Sequence, residues 1–144
     1  MKRLRRFLRL PARERRLLIE AVCLVALAHV AVRTLSFASV RALVRRAARP
    51  SRGRGLADPA AVRRAVETAA RLLPRSTCLM AGLAAHVLLA RGGCPSRLSI
   101  GVIGVAPAAS FRAHAWVETR DEMVVGGRER AGYRPVFSIE AVTR

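Results

Sequence analysis

The sequence predicts an α+β domain, on three observations. Apolar residues recur at three- and four-residue spacing through the first two thirds of the chain. They then alternate every second residue in the last third, and the two helix starts Asp58-Pro59 and Ser76-Thr77 are written out in full. The 144 residues suit one modest domain. With 52% hydrophobic residues and only 4% aromatic ones, its core must come from Leu, Val, Ile and Ala.

The elements follow in order. Met1 to Arg16 is basic, and the apolar run Leu17 to Val32 has the length of a long helix. A charged start and an apolar run are shared with signal peptides, but no small-residue cleavage site follows, and Arg33, Arg41, Arg45 and Arg46 resume the charge. As a membrane span the run is short and is interrupted by Glu20 and His29. The expectation is a helix buried in the protein or against a partner. Contact of residues 17–37 with a membrane is the alternative.

Arg45 to Gly55 reads as a linker of Pro, Ser, Gly and charge, so the chain divides into a basic helical region, 1–54, and a second region, 55–144. Asp58 caps a helix with Pro59 at its first position, and Val62, Val66, Ala69, Ala70 and Leu73 form its apolar face. Ser76 or Thr77 caps the next helix, with a buried stripe of Leu79, Leu83, Val87 and Ala90 and a stop at Gly92-Gly93. Residues 97–103 alternate as a strand, Pro107 to Ser110 turn, and Phe111 to Glu118 and Glu122 to Val125 are two further strands around Arg120-Asp121.

Charge is uneven along the chain. Of 27 basic residues, 15 lie in residues 1–54 against only Glu14 and Glu20, a net +13; residues 55–144 carry +5. Such a front end could meet an anionic membrane, an acidic protein or nucleic acid. Nucleic acid is disfavoured, because only Phe7 and Phe37 interleave the charge and no binding motif is present. Cys23, Cys78 and Cys94 are odd in number and none stands in a CxxC motif, which fits a reducing cytoplasm. Cys23, His29 and His86 read as packing residues and Cys94 as a loop thiol. No ligand pair has finger-like spacing and no GxxxxGK occurs, so no metal and no intrinsic cofactor is expected.

Chemistry points to two residues. Cys78 lies about two positions inside a helix start, where free N–H groups and the helix dipole favour an anion. The thiolate is the reactive form of cysteine, and the same amides can hold an oxyanion. His114 comes 36 residues later in Ala113-His114-Ala115-Trp116-Val117-Glu118. Alternation puts His114, Trp116 and Glu118 on one strand face and the small apolar residues on the other, which is expected to pack inward. If this strand lies beside the helix start, a Cys–His pair forms.

These motifs resemble a known family. Ser76-Thr77-Cys78-Leu79, Leu88-Leu89-Ala90-Arg91-Gly92-Gly93, Ser99-Ile100-Gly101-Val102 and Ala113 to Glu118 look like the stand-alone transglutaminase-like leader peptidases (protein B) of lasso-peptide biosynthesis, over roughly residues 70–137. The resemblance implies a transglutaminase- or papain-like fold over residues 55–144, with Cys78 as nucleophile and His114 as base. Thr77 and Trp116 would form the oxyanion side and wall of the site. The family usually places an Asp after the strand that follows the His motif; here Gly126-Gly127 stands there, so Glu118, Asp121 and Glu122 are the candidates for an orienting carboxylate. The implied function is removal of the leader from a lasso precursor peptide before macrolactam closure. The implied partners are a separate leader-recognition protein and an asparagine-synthetase-like cyclase, through which any ATP dependence would arise. The alternative is a catalytically weak scaffold that binds the precursor and presents it to those partners.

Overall fold

The computed structural model describes residues 7–51, 55–103 and 112–141. Its described elements are helices α1 (Ala12–Thr34), α2 (Phe37–Ala47), α3 (Pro59–Leu72) and α4 (Cys78–Arg91), then strands β1 (Ser96–Ile103), β2 (Arg112–Glu118), β3 (Met123–Val125) and β4 (Arg134–Ala141), with a 3-10 turn at Gly127–Glu129. The fold is α+β: four helices followed by a small antiparallel four-stranded sheet, ordered β3-β2-β1-β4.

α1 follows Pro11 without a side-chain cap, whereas the other three helices begin where their capping chemistry places them. Ser36 starts α2 by accepting from the Ser39 amide at 3.3 Å. Asp58 starts α3 by accepting from the Ala60 amide at 3.0 Å, with Pro59 at the first position, where its missing N–H costs nothing. Thr77, not Ser76, caps α4 and accepts from the Met80 amide at 3.4 Å. The linker predicted from Arg45 is shorter at its front, because α2 runs to Ala47. It is also tied down: the Arg91 side chain donates to the Ala47 carbonyl at 2.8 Å, and the Ala57 amide donates to the Gly92 carbonyl at 2.9 Å. A Cβ on Gly92 would lie 2.5 Å from that of Ala57, so glycine there permits the close approach.

One hydrophobic cluster runs from Ala21, Val25 and Ala28 on α1 through α3 and α4 to Ala115, Val117 and Ile139 on the sheet. Residues 1–54 and 55–144 thus contribute to a shared core. Within it α4 is central. The expected one-sided stripe is exceeded, since every residue from Met80 to Ala90 is buried, with α1 and α3 on one side and the sheet on the other. β4 was not expected from the sequence. It is an edge strand on β1, with Pro135 opposite Gly101 at an irregularity in the ladder. The predicted turn Pro107 to Ser110 lies outside the described residues.

Candidate active site

Cys78 is the first residue of α4 and is half-buried. Arg75, three residues earlier, takes a left-handed backbone with φ 59°, a conformation that costs an L side chain on the order of 1 kcal/mol and turns the chain into the helix. The Met80 amide is taken by Thr77, whereas the Cys78 and Leu79 amides precede the first intrahelical acceptor. Those two N–H groups and the helix dipole face the end of α4 where the thiol stands.

β2 lies against α4. A Cβ on Gly82 would come 3.7 Å from Val117 and 3.9 Å from Ala115, so these two residues of the small apolar face pack on the helix as expected, whereas Ala113, expected inward with them, is exposed. By alternation His114 and Trp116 go to the other face, which is roofed rather than open. His114 is only 5% exposed, and its ring lies 5.2 Å from that of Tyr133 and 6.2 Å from that of Trp116. The Arg130 guanidinium covers the indole at 5.6 Å. Among the described residues no hydrogen bond joins the Cys78 thiol to the imidazole. The two groups ride on packed elements but are not bonded to each other.

The imidazole is instead held by the glycine at the expected Asp position. Its Nε2 lies 2.8 Å from the Gly126 carbonyl oxygen. A carbonyl can only accept, so Nε2 carries the hydrogen, and in the neutral ring Nδ1 keeps the lone pair. Gly126 has φ +75°, and a Cβ there would sit 2.5 Å from the Ala115 oxygen and 3.1 Å from Nε2. This backbone has no room for an aspartate side chain; the main chain occupies the partner's place.

The three candidate carboxylates lie elsewhere. Glu118 pairs with Arg97 at 3.9 Å and Arg130 at 3.5 Å. Glu122 pairs with Arg63 at 3.6 Å, and Asp121 is exposed in the turn between β2 and β3. Arginines on neighbouring elements draw off the carboxylates that sequence proximity had suggested. The carboxylate that does approach His114 is Glu129, 80% exposed, with Oε2 3.8 Å from Nδ1. Its position on the 3-10 turn gave no periodic signal in the sequence. A glycine pair after a short strand was the only trace of the Gly126 contact.

Residues 11–138 match the family profile of the transglutaminase-like superfamily, most of the chain. The chain belongs to the transglutaminase-like superfamily. No curated protein and no solved structure matches it significantly. The other thiols and histidines of this transglutaminase-like chain have separate settings. Burial, then the charges of Asp121 and Glu122, push the Cys94 thiol up and keep it protonated. His86 is a packing residue with one polar partner, Ser96 Oγ at 3.0 Å, and burial lowers its pKa to about 4. Cys23 departs from expectation: it is exposed on the outer face of α1. Among the described residues no three His, Cys, Asp or Glu side chains converge as a metal site. Two buried polar atoms flanking the site, Ser76 Oγ and Trp116 Nε1, have no partner among the described residues.

Proposed function

We propose that this chain is a cysteine peptidase that cleaves a ribosomally made lasso precursor at the leader–core junction, with Cys78 as nucleophile and His114 as base. The observation that carries the reading is the anchored imidazole. With Nε2–H fixed on the Gly126 carbonyl, Nδ1 is the atom free to take a proton. Membership of a superfamily that includes cysteine peptidases and transglutaminases supports it. The thiol at the first residue of α4, with two free amides beside it, supplies the other half.

The chemistry runs as acyl transfer. Nδ1 of His114 takes the thiol proton as Cys78 Sγ adds to the scissile carbonyl carbon, and the Cys78 and Leu79 amides stabilise the oxyanion. The imidazolium then protonates the leaving nitrogen, and the core departs with a free amine. The leader stays as a thioester on Sγ until a water, deprotonated by Nδ1, releases it as a carboxylate. The step needs Sγ and Nδ1 within roughly 3–4 Å, a contact that peptidases commonly tighten only around bound substrate. Glu129 stands where it pairs with the imidazolium formed on the way. Thr77 and Trp116 keep the roles of helix cap and site wall.

In this reading the chain needs no cofactor of its own, and ATP is consumed by the asparagine-synthetase-like cyclase that closes the released core. A separate leader-recognition protein delivers the precursor, and the three free thiols fit work in a reducing cytoplasm. The test is cleavage of the precursor in the presence of that recognition protein, followed by mass spectrometry. Wild type cuts once; Cys78→Ala abolishes cutting, and His114→Ala slows it by a factor of at least about 10². Unchanged cleavage in both variants overturns the reading. Precursor binding by wild type without cleavage establishes the scaffold role in its place.

A further inference from the structure

Helix α1 is apolar on two opposite faces, and among the described residues only one of them is packed. Ala21, Val25 and Ala28 are buried against α3 and α4. Ile19, Cys23, Leu27 and Val30, spaced by four, four and three residues, form the opposite stripe. Ile19 is 51%, Leu27 65% and Val30 57% exposed, values that leave most of each side chain outside the core. The helix is long and apolar enough to cross a membrane by length and composition. Crossing would strip Ala21, Val25 and Ala28 from the domain core, so lying flat is the only membrane geometry that keeps the fold.

The charges frame the stripe. Arg13, Arg15 and Arg16 stand in the first turns of α1 and Arg33 in its last, and α2 adds Arg41, Arg45 and Arg46 just beyond. Two acidic residues lie on α1: Glu14 in the first turn, between Arg13 and Arg15, and Glu20, which is bonded to Arg16 at 3.2 Å. Leu35 and Phe37, though partly exposed, stand apart from this stripe: they line a cavity with Val32, Val40 and Ile139, and Phe37 packs edge-on against Phe137 at 5.0 Å. We infer that α1 docks side-on into the headgroup boundary of an anionic bilayer, with Ile19, Cys23, Leu27 and Val30 immersed and the flanking arginines on lipid phosphates. The sign of the charge selects this occupant: residues 1–54 carry a net +13, and an anionic surface complements the arginines at both ends of the stripe. The inference is independent of the peptidase reading.

The experiment is co-sedimentation of the full chain with phosphatidylcholine vesicles, with and without phosphatidylglycerol, at low and high salt. Binding is expected only to the anionic vesicles and weakens as salt rises. The double variant Leu27→Glu/Val30→Glu, checked for folding by circular dichroism, should lose at least about tenfold in affinity. An environment-sensitive dye on Cys23, in a Cys78→Ser/Cys94→Ser background, should shift to the blue on the same vesicles and reads immersion at the middle of the stripe. Absent vesicle binding, equal binding by the double variant, an unshifted dye, or a solution dimer that the double variant breaks would each overturn the inference.

Discussion

His86 and His114 are both buried, yet their surroundings hold them to different ends. His86 sits mid-way along α4 with, among the described residues, a single polar contact, Ser96 Oγ at 3.0 Å, and burial brings its pKa down to about 4. His114 sits on β2 with the Gly126 carbonyl on one ring nitrogen and the Glu129 carboxylate 3.8 Å from the other. The first environment keeps the ring neutral until the pH falls towards 4. The second fixes which nitrogen holds the hydrogen and places an anion where a second proton would arrive. Burial alone does not distinguish the two histidines; the acceptors around each ring do.

The comparison breaks most sharply at Gly126. Gly126→Ala puts a Cβ 2.5 Å from the Ala115 oxygen at φ +75°. Left-handed strain, backbone displacement and a lost hydrogen bond together predict a destabilisation of about 4 kcal/mol in urea unfolding. Nitrogen NMR of His114 in the same variant should no longer show hydrogen fixed on Nε2.

His86 gives the next largest effect. Its folded pKa of about 4 lies below its ordinary 6.5, so the unfolded chain takes up the proton first. The contribution is complete above about pH 6.5 and is lost as pH falls towards 4, a change of roughly 3 kcal/mol. Urea midpoints across that window should show the loss, and His86→Gln should flatten it.

Gly101→Ala tests the packing behind His114, since a Cβ there would lie 2.7 Å from the Trp116 ring. Overpacking of this kind costs about 2 kcal/mol, read as a lower thermal midpoint. Glu129→Gln should move stability by less than about 0.5 kcal/mol, because the carboxylate is exposed. The Nε2–H signature should survive it, which separates the anchoring carbonyl from the facing carboxylate.

Much of this arrangement was legible in the sequence. Asp58-Pro59 and Thr77 start their helices by local capping chemistry, which depends on few neighbours. The alternation of β2 placed Ala115 and Val117 on the core correctly, because one strand face sufficed to decide it. The roof over His114 was not legible, since Gly126 to Tyr133 has no period and folds back through contacts formed only in three dimensions. β4 escaped for a related reason: Pro135 argues against a strand, and only an edge position tolerates it. The orienting group was sought among side chains, whereas a main-chain carbonyl has no letter of its own.

That carbonyl sits beside β3, a strand of three residues at the edge of the sheet. Short edge strands open by local fluctuation far more often than the core they border, which is what amide hydrogen exchange records. Such an opening would release the His114 ring while α4 and β1 remain folded. Loss of the Nε2–H signature of His114 is therefore expected at a lower temperature than the melting of the domain.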